Sequence, residues 1–349
     1  MYRDYRNKDV QFFYVYKNLA HPEVNNFVPV VSIEERLLHI KRAKEMMKTD
    51  MNWICDTMKN DVKDRFGGTY NGEFIIDPDG KLLKKRFWSD PVQLRKDLVE
   101  IIGPVDKVTE VADLPTVFTP EPRKIASNVM PRPIMPPRLM PMDAKPHKSD
   151  DPFFAKLRIE ANSEFYRGAK GKIFFTVYLD PIHKVHWNNL AGKVKLEIDA
   201  KEDEFEFSKT KFESLDAKVD ADVDPRWMLC SAQAMNTKPF NVKLTYTICD
   251  DAETFCKEVV QEYVVNPAPN RNGGTRPGIF LNEMFVDVKK MDKNGDQKLT
   301  KDELPMGEVT MYVGHLDYDG DEVIDFAEID RFMSMFNNGK GITETNDGG

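Results

Sequence analysis

Two acidic segments near the carboxyl end repeat one spacing of oxygen-bearing side chains. The first runs from Asp292 to Glu303 and the second from Asp317 to Glu328. Each places an oxygen side chain at positions 1, 3, 5 and 9, an aliphatic residue at position 8 and a glutamate at position 12. Calcium requires about six to eight hard oxygen ligands around one point, and this spacing supplies them. The repeat therefore predicts two calcium sites, with Ca²⁺ as the cofactor.

The spacing assigns six ligands to each site, with a backbone carbonyl at position 7. In the first loop they are Asp292, Asn294, Asp296, the Lys298 carbonyl, Thr300 and Glu303. In the second loop they are Asp317, Asp319, Asp321, the Val323 carbonyl, Asp325 and Glu328. The arrangement resembles an EF-hand pair, which implies an all-α module. In such a pair Leu299 and Ile324, at position 8, would join the loops as a short two-stranded bridge.

Position 6 departs from the usual calcium-loop pattern. This position normally holds Gly because the chain turns there with positive φ, but here it holds Gln297 and Glu322. A non-Gly residue in that conformation costs about 1–2 kcal/mol, so we expect modest affinity. The second loop offers five carboxylates and the first offers three beside several lysines. We therefore expect the second loop to bind calcium more tightly.

Length and charge place the metal-binding segment apart from the rest of the chain. A chain of 349 residues predicts two or three domains. Residues 280–349 hold 16 acidic and 7 basic residues, whereas the net charge of the whole chain is −8. No basic stripe interleaved with aromatic residues is present, which argues against a nucleic-acid partner. No apolar run has the length of a membrane span, and no secretory signal peptide is visible.

Composition divides the remaining residues into ordered regions and breaks. Nine of the 22 prolines lie in residues 115–146, which predicts an extended linker because Pro interrupts helices and central strands. An alternative is that the methionines of this segment dock on a neighbouring domain. The predicted segments are a thioredoxin-like α/β domain at 1–112, the linker at 113–149, a β-domain at 150–267, a hinge at 268–278, the calcium module at 279–338 and a disordered tail at 339–349.

The first region alternates strands and helices. Ser32 and Glu35 form a capping box before a helix, and Asp90 caps a second helix with Pro91 at its first position. Apolar patterning places Ile33, Leu37, Ile40 and Met47 on the buried face of the first helix. The other predicted elements are a strand at 10–16, a short strand at 53–55 and a hairpin at 74–83. This order matches the later part of a thioredoxin fold.

Several short motifs sharpen that comparison. Val15-Tyr16 before Ala20-His21, Asp56-Thr57-Met58, and Phe74-Ile75-Ile76 before Gly80-Lys81 together resemble the iodothyronine deiodinase family and its bacterial thioredoxin-like relatives. The resemblance implies that His21 takes part in catalysis and that a selenocysteine or cysteine nucleophile precedes the first strand. That nucleophile is absent from this sequence, and Leu19 replaces an acidic residue of the family pattern. The alternative for His21 is a structural histidine before Pro22.

The missing nucleophile suggests where the reading frame begins. We expect Met1 to be an internal methionine of a longer gene product, with an in-frame UGA or cysteine codon upstream. An in-frame selenocysteine codon reads as a stop, so automated translation would restart at the next methionine. The same explanation would account for the missing signal peptide.

The region 150–267 alternates apolar and charged residues with a period of two, which predicts an immunoglobulin-like β-sandwich. Its last strands contain Cys249 and Cys256, and His186-Trp187-Asn188-Asn189 stands earlier. These features resemble the amino-terminal periplasmic domain of thiol:disulfide interchange reductases, which implies exchange with a thioredoxin-like partner. Three states of the two cysteines remain open: a redox-active pair, a static disulfide and free thiols.

The sequence thus predicts a multi-domain protein of partial α/β thioredoxin-like, all-β immunoglobulin-like and all-α EF-hand modules. The expected function is calcium binding in an extracytoplasmic protein of thiol redox type, either periplasmic or secreted. A non-enzymatic calcium-binding scaffold is one alternative. The other is a selenocysteine or cysteine oxidoreductase whose nucleophile lies upstream of Met1.

Overall fold

We describe the fold from a computed structural model of the chain. The structure describes residues 1–22, 27–69, 71–110, 113–114, 125–127, 129–133, 139–274, 289–300, 302–304, 323–330 and 341–342. Contacts divide the chain into two compact units. The first comprises Met1–Ala20 and Val30–Pro122, and the second comprises His21–Pro29 and Arg123–Gly349.

Local sequence signals set the elements of the first unit. Ser32 Oγ accepts from the Glu35 amide at the start of a helix, and the Asp90 carboxylate accepts from two amides at the start of another. These predicted caps and helices are confirmed. The elements are α1 (Tyr2–Tyr5), β1 (Phe13–Tyr16), α2 (Ile33–Met47), β2 (Asn52–Cys55), α3 (Asp61–Arg65), β3 (Glu73–Ile76), β4 (Leu82–Arg86) and α4 (Pro91–Ile102).

Strand pairing in this unit is local. Strands β1 and β2 pair in parallel, with α2 as the crossover that parallel neighbours require. Strands β3 and β4 form an antiparallel hairpin. The two pairs remain separate two-stranded sheets among the described residues. The sheet of a thioredoxin-like domain is therefore not formed by them.

Helix α2 buries a polar face. Arg36 and His39 are buried, whereas Leu37 is 52% exposed. The predicted apolar face is therefore wrong at Leu37 and at Met47, which is also exposed, whereas Ile40 is buried. The physical reason is that the Arg36 guanidinium donates to the Asp56 and Thr57 carbonyls at 3.0 and 2.6 Å. These two hydrogen bonds turn the polar side of the helix toward the end of β2.

An 11-stranded, mainly antiparallel sheet dominates the second unit. The strands of this sheet are β6 (Met140–Pro146), β7 (Ala155–Ala161), β8 (Gly171–Leu179), β9 (Val185–Asn188), β10 (Lys195–Asp199), β11 (Phe205–Phe207), β12 (Lys211–Glu213), β13 (Ala221–Asp222), β14 (Arg226–Ala234), β15 (Phe240–Asp250) and β16 (Cys256–Pro269). Neighbouring strands run in the order β11, β14, β8, β7, β6, β16, β15, β10, β12, while β9 joins β15 and β13 joins β9. The unit also contains a short helix, α5 (Ser163–Tyr166), and a 3-10 turn at Pro181–His183.

Two short strand pairs and two isolated bridges complete the described pairing. A two-residue strand, β5 (Arg132–Pro133), pairs in parallel with β19 (Gly341–Ile342). Strands β17 (Lys298–Leu299) and β18 (Ile324–Asp325) pair antiparallel with each other. Isolated bridges also join Asn71 to Trp88 and Ala126 to Asp222.

The large sheet folds over so that its apolar sides face each other. Phe175 on β8 and Phe212 on β12 are distant in strand order, yet their rings lie 5.6 Å apart. The Ala155 amide on β7 donates to the Tyr246 hydroxyl on β15 at 3.2 Å. One continuous apolar core therefore lies between the two halves of the sheet. Burial of this core is the main favourable contribution to its folding.

The predicted fold class is wrong. The described residues are mostly β, with one large antiparallel sheet and only short helices, rather than the predicted combination that includes a partial α/β thioredoxin-like domain and an all-α EF-hand pair. An all-α EF-hand pair is not seen among the described residues. In the described part of that segment, β17 and β18 form a two-stranded sheet, and residues 326–330 are helical. The physical reason is that the strands between Met140 and Pro269 pair over long distances in the chain into one sheet, which local patterns do not determine.

Part of the segment that we predicted as a linker is a strand. Met140 and Pro141 of β6 pair with β7, and the later residues of β6 pair with β16. Strand β6 therefore joins the two halves of the sheet. The prolines are tolerated because Pro141 lies beside the change of neighbour and Pro146 ends the strand. Met142 is buried in the core, as in the alternative in which these methionines dock on a folded domain.

Candidate functional site

The first acidic loop has a regular set of hydrogen bonds from side chain to backbone. The Asp292 carboxylate accepts from the Gly295 and Gln297 amides at 2.8 and 2.9 Å. Asn294 Oδ1 accepts from the amide of Asp296 at 2.9 Å. Such bonds from Asp and Asn to nearby amides stabilise turns. They wind the backbone of residues 292–298 into consecutive turns around its oxygen side chains.

Glu303 closes the same loop from its far end. Its carboxylate accepts from the Thr300 amide at 3.0 Å and from the Lys293 amide at 3.1 Å. These backbone hydrogen bonds, with that of Thr300 the largest, hold the pKa of the Glu303 carboxyl below its ordinary value. The carboxylate at position 12 therefore stays ionised at neutral pH and lies beside the beginning of the loop.

Gln297 adopts the left-handed conformation expected at position 6. Its φ is +63°, and Gly295 also has a positive φ of +76°. Gly295 takes this geometry without a steric penalty, whereas a residue with a Cβ is destabilised by it. The turn is therefore present in the first loop, although a glutamine occupies the position. Glu322, at position 6 of the second loop, lies outside the described residues.

The two loops pair through their eighth positions. Leu299 and Ile324 are opposite each other in the antiparallel pair of β17 and β18, and both are fully buried. The Phe326 amide donates to the Gln297 carbonyl at 3.0 Å beside them. Leu304 and Ile329 are also buried. The predicted pairing of Leu299 with Ile324 is confirmed.

The end of the second loop repeats the bonds of the first. The Asp325 amide donates to Glu328 Oε2 at 3.0 Å, as the Thr300 amide does to Glu303 Oε2. The Glu328 amide donates in turn to Asp325 Oδ1 at 2.8 Å. Val323 also lies in the described part of this loop. The predicted ligands Asp317, Asp319 and Asp321 lie outside the described residues.

The donor set of the first loop fits a hard divalent cation. It combines three carboxylates, one amide oxygen, one hydroxyl and one backbone carbonyl, all from one exposed loop. Oxygen ligands of this kind suit Ca²⁺ and exclude the soft metals that prefer sulfur. Asp292, Asn294, Asp296, the Lys298 carbonyl, Thr300 and Glu303 would hold the ion, and the ion would neutralise their mutual repulsion.

A second candidate site lies where β15 turns into β16. Cys249 and Cys256 are directly opposite each other in this antiparallel pair and form a disulfide. Asp250 fixes the turn between them because its carboxylate accepts from the Thr254 and Phe255 amides at 2.6 and 2.8 Å. The register of the two strands therefore brings the sulfur atoms together. Of the three states left open by the sequence, the structure contains the disulfide.

The two sulfurs of this disulfide differ in exposure. Cys249 is 5% exposed, whereas Cys256 lies in the exposed part of β16. On the other side of Cys249, His186 of β9 is its cross-strand partner, and His186 Nδ1 lies 3.3 Å from Asp251 Oδ1. Sequence reasoning did not place His186 next to Cys249, because strands β9 and β15 are separated by five other strands along the chain. Only their pairing reveals it.

The other predicted or reactive-type residues belong to other elements than the two strands of this disulfide. His21 is exposed, just before the buried Pro22, and its catalytic role stays a prediction. Burial raises the pKa of the Cys230 thiol to about 12, which makes it chemically inert. Burial also raises the pKa of the Cys55 thiol, against the opposing effect of Arg36. Both free cysteines are therefore expected to be structural.

No family model and no curated protein matches this chain. Five chains of solved structure match it. One of these is the crystal structure of a FixG-related protein from Vibrio parahaemolyticus, with 10% identity, coverage of 32% of this chain and 95% of that chain, and a TM-score of 0.16. A likeness at that TM-score supports no argument about fold or function. Among the described helices, none is long and apolar enough to cross a membrane.

Proposed function

We propose that this protein binds Ca²⁺ through its two acidic loops. The main support is the first loop, whose Asp292, Asn294 and Glu303 side chains already bond to the loop backbone in a folded turn. A preformed loop loses less conformational entropy when a ligand binds. The pairing of Leu299 with Ile324 connects the two loops, so an ion in one loop also stabilises the other.

Calcium titration of the intact protein tests this proposal. After removal of metal with a chelator, isothermal calorimetry is expected to show binding with a stronger contribution from the second loop. Glu328→Gln is expected to weaken binding more than Glu303→Gln, because the second loop has five carboxylates and the first has three. Loss of a charged ligand worth about 1.5–3 kcal/mol corresponds to about tenfold or more in affinity.

Glu262→Gln is the matched control, since Glu262 is exposed on β16 and belongs to neither loop. It is expected to leave the titration unchanged. Absence of any calcium heat in the native protein would contradict the proposal. An opposite order of the Glu303 and Glu328 variants would contradict the ranking of the loops alone.

A second function, thiol–disulfide exchange, is favoured by the unequal exposure of Cys249 and Cys256. An incoming thiolate must approach one sulfur along the disulfide axis, and the exposed Cys256 offers that approach. We therefore propose that the pair exchanges electrons with a dithiol protein, in an extracytoplasmic compartment where disulfides persist. A deiodinase-like role of the first unit stays a prediction.

Differential alkylation tests the exchange. Peptide mass mapping is expected to show Cys249 and Cys256 protected in oxidising buffer and alkylated after treatment with reduced thioredoxin. Cys55 and Cys230 serve as internal controls, because their alkylation should not change with the reductant. Alkylation of Cys249 without reductant would contradict the disulfide. A bond that forms but resists thioredoxin would identify it as static, and cell fractionation tests the compartment.

A further inference from the structure

Three side chains form one row across strands β9, β15 and β16. Cys249 lies opposite His186 on one side and opposite Cys256 on the other. Residues directly opposite each other in antiparallel strands point to the same face, with Cβ atoms about 4.5–5.5 Å apart. The imidazole of His186 and the disulfide are therefore neighbours on one face of the sheet, with Cys249 between His186 and Cys256.

The buried members of this row are the ones that would exchange a proton. His186 is 6% exposed and Cys249 is 5% exposed. A thiolate released at Cys249 would form where little water can stabilise its charge, and such burial disfavours the anion. A neighbouring proton donor would remove that cost. His186 is the titratable side chain directly across from this sulfur.

Asp251 holds the imidazole in place. Its carboxylate lies 3.3 Å from His186 Nδ1, and its amide donates to the Lys184 carbonyl at 2.9 Å. The turn after β15 is thus attached to the start of β9. A carboxylate at Nδ1 fixes the tautomer and orientation of a histidine and favours the imidazolium. The second ring nitrogen is then left for the reaction.

The other charged groups around the row have different partners. The Asp250 carboxylate accepts from the Thr254 and Phe255 amides, and the hydrogen bond from Phe255, the largest cause, lowers its pKa. Lys257 follows Cys256 on β16 and pairs with Asp151. Lys184 precedes β9 and offers its carbonyl to Asp251. His186 is therefore the titratable side chain of this set that lies directly opposite Cys249.

We propose that His186 donates a proton to the Cys249 sulfur when the disulfide is reduced, with Asp251 as the positioning residue. This proposal rests on the exchange function proposed above. It goes further by assigning Cys256 as the sulfur that is attacked, Cys249 as the leaving sulfur and the His186–Asp251 pair as the source of the proton.

The reaction balances with a protein dithiol as the reductant. A thiolate of the partner attacks Cys256 Sγ, the bond between Cys249 and Cys256 breaks, and its electron pair stays on Cys249 Sγ. The His186 imidazolium transfers its proton to that sulfur and becomes neutral. The second thiolate of the partner then attacks the partner's own sulfur in the mixed disulfide and releases Cys256, which takes a proton from solvent. The partner is oxidised to a disulfide and this protein is reduced to a dithiol.

The dependence of the rate on pH separates this role from a purely structural one. A protonated imidazole is a stronger acid than a thiol, so proton transfer from imidazolium to a thiolate is downhill. The intact protein is reduced with dithiothreitol between about pH 5 and 8. Each rate is divided by the rate at which dithiothreitol reduces oxidised glutathione under the same conditions. This division cancels the effect of pH on the ionisation of dithiothreitol. The normalised rate is expected to fall as pH rises, because fewer molecules then carry the proton that is donated.

His186→Gln is expected to flatten this profile and to lower the normalised rate at low pH by about tenfold or more, because general acid catalysis contributes at least that factor. Asp251→Asn keeps the shape of the side chain and is expected to lower the normalised rate at low pH by less than His186→Gln does, since it removes the carboxylate that positions the imidazole. His147→Gln is the matched control, because His147 also faces a carboxylate, that of Glu262, but is exposed. It should keep the native profile.

Each outcome decides a separate point. A native normalised profile in His186→Gln would overturn the proton-donor role while leaving the exchange function intact. If His186→Gln does not fold, the Asp251→Asn profile decides, and an unchanged profile there overturns the proposal. A native protein that neither dithiothreitol nor thioredoxin reduces would overturn both the exchange function and the role of His186.

Discussion

At the scale of single residues, the first acidic loop depends on a turn made by an unfavourable residue. Gln297 has a φ of +63°, and its amide donates to the Asp292 carboxylate at 2.9 Å. A side chain with a Cβ destabilises the left-handed conformation by about 1–2 kcal/mol. The loop therefore folds against a local penalty, which its internal hydrogen bonds and the pairing of β17 with β18 offset.

Gln297→Gly is expected to stabilise the loop by about 1 kcal/mol, because Gly adopts positive φ without that penalty. Urea denaturation in the presence of calcium measures the change. Gln297→Ala is the control, since it removes the side chain but keeps the Cβ, and it should leave the stability near that of the native protein. Equal stabilisation by both variants would show that the glutamine side chain, not the backbone, is responsible.

At the scale of elements, one buried carboxylate attaches α4 to the hairpin of β3 and β4. Asp97 on α4 is 2% exposed and pairs with Arg86 on β4, which also pairs with Glu73 on β3. The hydrogen bond from Arg86, the largest effect, lowers the pKa of the Asp97 carboxyl although burial raises it. The helix and hairpin thus share an ion pair whose strength depends on pH.

This pair is expected to make the stability of the protein sensitive to acid. The folded pKa of Asp97 lies below its unfolded value near 3.9, so its contribution is present above that value and is lost as pH falls through the folded pKa. Asp97→Asn should reduce the free energy of unfolding by about 1.5 kcal/mol or more at neutral pH. The difference in the free energy of unfolding between Asp97→Asn and the native protein should become smaller below about pH 4.

Urea denaturation followed by tryptophan fluorescence at several pH values measures that difference. Asp79→Asn, in the exposed turn of the same hairpin, is the control and should follow the native curve at every pH. If the difference in the free energy of unfolding between Asp97→Asn and the native protein stayed constant down to pH 2, the contribution of Asp97 would not depend on its ionisation.

At the scale of the whole molecule, strand β6 makes the large sheet continuous. It pairs with β7 at Met140 and Pro141 and with β16 at its later residues. Met142, at the change of neighbour, is 4% exposed and belongs to the apolar core. The strand thus connects the two facing halves of the sheet from inside a Pro-rich segment.

Met142→Ala is therefore expected to destabilise the protein by about 2–5 kcal/mol, because it leaves a cavity between the halves of the sheet. Thermal unfolding should show a lower Tm. Met235→Ala is the matched control, since Met235 is 53% exposed, and it should change the Tm little. If the two variants behaved alike, the segment around Met142 would have to act as a linker rather than as a strand of the core.

Local interactions made part of this protein predictable. The caps at Ser32 and Asp90 depend on residues within one turn, and the pairing of Leu299 with Ile324 follows from the spacing of each loop. The fold class was predicted wrongly and strand β6 was not predicted, because both depend on pairing between strands that are far apart in the chain. Proline content predicted that residues 115–146 interrupt helices and central strands, but it carried no information on strands that could pair with Met140–Pro146.

The sequence by itself determined the acidic ligand spacing, the two caps and the closeness of Cys249 to Cys256, because each involves residues that are near in the chain. The tertiary structure alone decided that His186 lies beside Cys249, that α2 buries Arg36 and that the strands from Met140 to Pro269 form one continuous sheet. The physical reason is that strand order and the buried face of a helix depend on partners far away in the chain. Local periodicity shows which side chains are apolar, but only the assembled sheet determines what they face.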